Sequence, residues 1–167
     1  IKWIPPSPAL RTTKGSVLYP GIEILQNSGV SVGRGTQTPF EQFGAPSMNG
    51  EEVAAALNER HLPGLRFAPK DFIPIGGPHS GEHCGGVSIQ VTDRFTARSM
   101  RLGLEIAEIL QRLYPKDFDT DKLIGLVGNA GTVQQVKNGV APETIIASWS
   151  ESLAAFDQMR RKYFLYK

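Results

Sequence analysis

Gly86-Val87-Ser88-Ile89-Gln90-Val91-Thr92 alternates apolar and polar residues without a break, and this short run decides the fold class. A period of two places Val87, Ile89 and Val91 on one face of a β-strand and turns that face toward a core. Working outward, Leu65 to Ile75 carries Leu65, Phe67, Phe72, Ile73 and Ile75 but is broken by two prolines, so it reads as a strand running into a loop or edge strand. Val17 to Leu25, around Tyr19-Pro20-Gly21, reads as a strand, a bend and a short helical or extended piece.

The remaining segments have helical spacing. Asn49 is placed to cap a helix from Gly50 to His61 with Val53, Ala54, Leu57 and His61 on one face, ended by Pro63-Gly64. Ala97 to Tyr114 repeats apolar residues at Met100, Leu104, Ala107, Ile109, Leu110 and Leu113, with Thr96 as cap and Pro115 as stop. Short helical turns are expected over Asp119 to Leu126 and Thr132 to Lys137. Pro142 opens a last helix running to about Tyr166, whose stripe Ile145, Trp149, Leu153, Phe156, Met159 and Tyr163 is read as core. The expectation is an α+β fold: a small β-sheet with several helices packed on it and a long amphipathic helix at the C-terminal end.

A chain of 167 residues is the size of one domain and can bury a core without staples. Hydrophobic residues at 40% and charged residues at 20% are those of a globular protein. A net charge of +2 gives little attraction for nucleic acid, and no apolar run reaches the ~20 residues of a membrane span, so neither partner is expected. Cys84 is the single cysteine, which excludes an internal disulfide and leaves a metal site to His61, His79, His83 and carboxylates, so no metal and no cofactor are expected. Residues 1–15 open on Lys2-Trp3 with Pro5, Pro6 and Pro8, a stiff extended composition that reads as an interdomain linker before a single domain at 16–167.

Two glycine-rich segments hold the candidate site. Ser31 to Pro46, SVGRGTQTPFEQFGAP, sets Arg34 between Gly33 and Gly35 and looks built to present polar atoms. Two glycines open backbone angles denied to other residues and leave room for a ligand, and a planar guanidinium suits a carboxylate or a row of sugar oxygens. The same arginine also reads as a structural partner of a nearby Asp or Glu. The second segment, His79 to Gly86, brings His79 and His83 beside Cys84, which reads as a buried structural thiol. Ser31, Arg34, Gly35, Thr36, His79 and His83 are therefore the expected ligand-binding residues. Glycoside cleavage needs two carboxyls, about 5 Å apart for retention or about 6.5–9.5 Å for inversion. Glu23, Glu41, Glu82 and Asp93 lie near loops, but each reads more simply as structural, with Asp93-Arg94 as a strand-end ion pair, so no catalytic residue is assigned in this chain. Tyr19, Phe40 and Phe43 offer either sugar-stacking faces or core.

These motifs, in order, resemble the C-terminal half of the exo-β-N-acetylmuramidase family of bacterial glycoside hydrolases. The resemblance runs through Trp3, Pro6-Ser7-Pro8, Tyr19-Pro20-Gly21, the 31–46 segment, Phe72-Ile73-Pro74, Cys84-Gly85-Gly86-Val87, Val91-Thr92-Asp93-Arg94 and Arg161 to Tyr166. It implies a two-domain enzyme, periplasmic or secreted, that removes N-acetylmuramic acid from the non-reducing end of peptidoglycan fragments. The general acid and base would lie chiefly on an N-terminal Rossmann-like domain, and this chain would be the half that closes the cleft, inactive alone, with Arg34 reading the lactyl carboxylate. The pattern departs at Gln26-Asn27-Ser28-Gly29, where an acidic residue and Gly-Thr-Asn are usual, at Ala9 for asparagine, and at Ser47, which removes a tryptophan surface. From other classes, a noncatalytic carbohydrate or cell-wall binding module and a plain interaction domain compete with this reading.

Overall fold

The computed structural model describes residues 3–166. The run that decides the fold class forms β3 (Gly85–Val91), the middle strand of a three-stranded antiparallel sheet ordered β1-β3-β2, with β1 at Gln42–Ala45 and β2 at Leu65–Pro69. Gln42 faces Ser88 and Ala45 faces Gly85 on one side of β3; Leu65 faces Val91 and Pro69 faces Val87 on the other. Val87 and Ile89 are buried as their alternation predicts, while Val91, at the strand end, is only half-buried. The fold is α+β, as expected.

Helices cover the sheet on one side of a single core. α2 (Gly50–Glu59) packs on β2 and β3 through Val53, Ala54 and Leu57. Asn49 caps it as its position predicts, its side chain accepting from the N–H groups of Glu51 and Glu52 at 3.0 and 3.2 Å. His61 lies beyond the helix end, exposed, with φ +49°, so it leaves the expected face. α3 (Ser99–Leu113) is the hub: it contacts α1 (Thr13–Ile22) and α2, and also α5 (Ala130–Lys137) and α6 (Pro142–Ser148). Between α3 and α5 the chain makes a 3₁₀ turn at Thr120–Leu123 and the short α4 (Ile124–Val127), matching the expected helical turns. Thr96 does not cap α3; its hydroxyl bonds Asp93 instead, and the helix starts three residues later. Among the described residues no helix is long and apolar enough to cross a membrane.

Three expectations are corrected. Val17 to Leu25 is neither strand nor bend: α1 runs straight through Pro20 into a 3₁₀ turn at Glu23–Leu25. Thr12 starts the helix by accepting from Gly15 N–H at 2.9 Å. Proline weakens a helical ladder by removing a donor, and here Ser99 Oγ braces the helix beside the proline from α3, accepting from Gly21 N–H at 2.7 Å and donating to Leu18 O at 2.9 Å. Because α1 begins at Thr13, the last three residues of the expected extended stretch are helical. The stretch before it also folds back on itself, Trp3 Nε1 donating to Leu10 O at 3.2 Å. Ile1 and Lys2 of that stretch lie outside the described residues. Finally, the C-terminal helix is two, α6 and α7 (Ser150–Arg161), meeting at Trp149, and the stripe is core only at Ile145. Leu153, Phe156, Met159 and Tyr163 are all exposed, because α6 is the main neighbour of α7 and, among the described residues, nothing covers its apolar side.

α1 and α3 cross at glycines. A methyl group on Gly21 would lie 1.8 Å from the Ser99 carbonyl oxygen, and one on Gly103 would lie 2.4 Å from the Gly21 carbonyl oxygen. On the opposite side of α3, Glu105 is 1% exposed, with Arg101 Nε 3.3 Å from Oε1 and Arg60 Nε 3.5 Å from Oε2, which has no hydrogen-bond partner. Burial pushes the Glu105 carboxyl above its ordinary range, Glu143 adds to the push, and Arg101 and Arg60 oppose it.

Gly21→Ala should lower stability in urea titration by about 2 kcal/mol or more, because backbone cannot retreat from a carbon at that distance, outweighing the ~1 kcal/mol helix-propensity gain of alanine. Gly125→Ala in α4, whose added carbon would meet only Asn27 Nδ2 at 3.8 Å, should leave stability unchanged or raise it. A carboxyl with a raised folded pKa favours the fold below its ordinary value of about 4.5 and loses that contribution as pH rises through the folded value. Urea titrations from pH 4 to pH 8 should therefore show wild type losing stability relative to Glu105→Gln as pH rises, then running parallel above the folded pKa of Glu105. A difference independent of pH would contradict the assignment.

Candidate functional site

The 31–46 segment is less a display loop than its composition predicts. Val32, Phe40, Phe43 and Ala45 are buried, and Ser31 continues the sheet by exchanging backbone hydrogen bonds with Gly44, at 2.8 and 3.0 Å. Residues 34–38 reach the surface as a tight turn, with Glu41 half-buried and Pro46 exposed at the far end of the segment. Gly33 and Gly35 both hold positive φ, +74° and +76°, as their placement about Arg34 predicts. Gly35 is also pressed against the second glycine-rich loop: a methyl group there would lie 2.5 Å from Gly76 N and 2.8 Å from the Ile75 carbonyl carbon. Phe40 has φ +65°, unusual for a residue with a side chain, and is held there by complete burial.

Arg34 is fixed from three sides. Its Nε donates to Gln26 Oε1, its Nη2 donates to Glu23 Oε1 at 2.6 Å, and its guanidinium carbon lies 4.9 Å from the centre of the Phe40 ring. Tyr19 supports that ring edge-on, centroids 5.0 Å apart at 78°. The structural reading of Arg34 is thus correct: it pairs with Glu23 across the start of the loop. The pairing uses the Nε/Nη2 edge of the fork. Among the described residues nothing bonds Nη1, and with the side chain 34% exposed the Nη1/Nη2 edge remains able to take a carboxylate in two parallel hydrogen bonds. Glu23 Oε2 is buried with no hydrogen-bond partner, so the arginine is the main compensation for that charge.

Of the other expected residues, Ser31 is buried and Thr36 turns inward, its hydroxyl donating to Gly33 O at 2.6 Å and accepting from Thr38 N–H at 3.2 Å, so both shape the turn. His79 joins the same side: Nε2 lies 2.9 Å from Gly29 O and Nδ1 lies 3.3 Å from Glu82 Oε1. His83 points elsewhere, 3.7 Å from Asp71 Oδ2, and lines a separate polar cleft with Asn49, Glu51 and Lys70. The structure therefore sets residues 75–77 of the second loop against Gly35 and Arg34, with His79 tying that loop to Gly29, and places His83 in the separate cleft. Cys84 is buried, as expected; burial, then Glu82, pushes its thiol pKa up, which disfavours the reactive thiolate. Phe40 and Phe43 belong to the core and cannot stack on a ligand, leaving Tyr19 as the exposed ring.

The candidate carboxylates are engaged. Glu23 holds Arg34, Glu41 accepts from the Thr12 hydroxyl, and Glu82 is beside His79. Asp93 forms no pair with Arg94; it accepts from Phe95 N–H and the Thr96 hydroxyl, both at 2.9 Å, and these bonds hold its carboxyl below the usual range, while Arg94 stacks on the Phe95 ring instead. Sequence reasoning missed Gln26 and Glu23 as partners of Arg34, for which no periodic signal exists. It also missed Glu105, which spacing could have found, since it sits on the apolar face between Leu102 and Ile109.

Residues 17–166 match the family described as the C-terminal domain of the exo-β-N-acetylmuramidase NamZ. The chain is 35% identical over 169 aligned positions to the peptidoglycan β-N-acetylmuramidase NamZ of Bacillus subtilis (strain 168), covering 99% of this chain and 41% of that protein. A crystal structure of a DUF1343 family protein from Bacteroides fragilis NCTC 9343 superposes with a TM-score of 0.85 at 27% identity, covering 100% of this chain and 46% of that one. A second DUF1343 protein of the same organism shares the fold, with a TM-score of 0.72 at 24% identity, over 98% of this chain and 44% of its own. The chain thus spans less than half the length of each of these relatives.

Arg34→Met should destabilise the fold by about 1–3 kcal/mol in urea titration, since it strands the Glu23 carboxylate. The double variant Glu23→Gln/Arg34→Met should recover part of that loss, and additive single effects would contradict the pairing.

Proposed function

Because this chain belongs to the family of NamZ C-terminal domains, we propose that it forms one wall of the substrate cleft of an exo-β-N-acetylmuramidase, which hydrolyses terminal N-acetylmuramic acid from peptidoglycan fragments. Membership makes it part of a peptidoglycan-related glycoside hydrolase family, and the cleft role is our proposal within that family. The observation that carries it is the free Nη1/Nη2 edge of Arg34, fixed in direction by Glu23, Gln26 and Phe40 on a loop held by Gly35. N-acetylmuramic acid differs from other amino sugars of the wall by its lactyl carboxylate, and a pre-oriented guanidinium edge reads such a group with two parallel hydrogen bonds and little ordering cost.

In hydrolysis one carboxyl protonates the glycosidic oxygen as its bond to the anomeric carbon breaks, and a second carboxylate either takes the proton of the water that attacks that carbon or attacks it itself, forming an ester that water then cleaves. Glu23, Glu41, Glu82 and Asp93 are all engaged in neighbouring contacts, which supports placing the acid and base on an N-terminal domain of the same polypeptide. This chain then binds and orients: Arg34 takes the lactyl group, Tyr19 offers a ring beside it, and His79 ties the second loop to Gly29 so that the rim keeps its shape.

The full-length protein should hydrolyse a chromogenic N-acetylmuramic acid glycoside. Arg34→Ala should raise KM for that substrate more than for the analogue lacking the lactyl group, with kcat less affected; equal effects on the two substrates would overturn the assignment of Arg34. Binding of muropeptides by the full-length protein without hydrolysis would favour a noncatalytic cell-wall binding module.

A further inference from the structure

The stripe on α7 is left exposed by the described residues. Leu153, Phe156 and Met159 follow one another at three-residue spacing with 57%, 52% and 47% of their surface open, and Tyr163 continues the line at 68%. The polar side of α7 satisfies itself, since Asp157 pairs with Arg160 and Arg161 at 2.7 and 2.8 Å. A helix of 12 residues with no buried side is at the margin of stability in water. Its stripe also leads into an apolar groove, floored by Pro20, Met100, Ile146 and Trp149, so groove and helix form one continuous apolar surface.

We propose that this surface is the seat of the companion domain of a longer polypeptide. The inference rests on the reading of this chain as one part of a two-domain enzyme. Three observations favour that occupant over a second copy. More than half of each matched relative lies outside the region of similarity, enough for another domain. The Bacteroides fragilis structure keeps this unit in full, α7 included, within that longer chain. The groove and the candidate site also share α1: Pro20 lines the groove, while Tyr19 packs its ring on Phe40, which lies under the Arg34 guanidinium. A domain seated on the groove would rest on the helix that also supports the Arg34 loop.

The test is amide hydrogen exchange on the full-length protein. In wild type the α7 amides should be protected, and Phe156→Glu should speed their exchange by about tenfold or more while α2 and β3 are unchanged. Phe156→Leu should keep the protection. Glutamate favours helix at least as well as phenylalanine, so a purely local role for Phe156 predicts no acceleration. Equal α7 exchange in wild type and Phe156→Glu would overturn the proposal, as would protection that rises with protein concentration alongside a dimeric mass in light scattering. The muramidase assay on the same samples separates the two readings. A protected α7 without hydrolysis overturns the enzymatic reading alone, and hydrolysis with an unprotected α7 overturns the interface alone.

Discussion

The crossing of α1 over α3 is the constraint on which the rest depends. Gly21 and Gly103 let the two backbones meet with no side chain between them, and the Ser99 hydroxyl joins the helices by bonding both Leu18 O and Gly21 N–H. That contact keeps a helix with an internal proline intact. It also sets what lies at the end of α1: Tyr19 on the Phe40 ring, and Glu23 one turn later on Arg34. With the helices further apart, the arginine would lose the fixed carboxylate that orients it.

Arg34 serves the structure with one edge and, in the proposed function, recognition with the other. A guanidinium has five donors, and the contacts to Gln26 and Glu23 occupy one edge only. Those contacts hold the side chain in place, so the edge proposed to meet a ligand has its direction already decided. The same pairing compensates a carboxylate that is otherwise nearly buried. The glycines on either side act by geometry: both hold left-handed backbone angles, and Gly35 lets the 75–76 backbone approach closer than any side chain would allow.

The polar and apolar surfaces divide the remaining functions. The Arg34 and His79 side gathers hydrogen-bonding groups at a rim, whereas α7 and its groove gather exposed hydrocarbon. Both meet along α1, through Tyr19 and Pro20. Under the proposed reading, a domain spanning less than half the length of its relatives carries both kinds of surface, one for a ligand and one for its companion domain.

Local pattern alone determined the elements whose signals are self-contained. The alternation of Val87 and Ile89 gives β3, Asn49 gives the start of α2, the recurrence from Leu104 to Leu113 gives most of α3, and the glycines about Arg34 give a left-handed turn. The ordered motifs along the chain also made the family legible. Tertiary structure decided what depended on distant partners. Tyr19-Pro20-Gly21 is helical with Ser99, far along the chain, bracing the turn on either side of Pro20, and Arg34 is held by Glu23 and Gln26, whose spacing from it carries no periodic signal. Glu105 is accommodated in the core because Arg60, just beyond α2, and Arg101 of α3 face its carboxylate. The α7 stripe has the same periodicity as a core stripe, yet is exposed, because periodicity records which residues share a face and only the packed chain decides what that face meets.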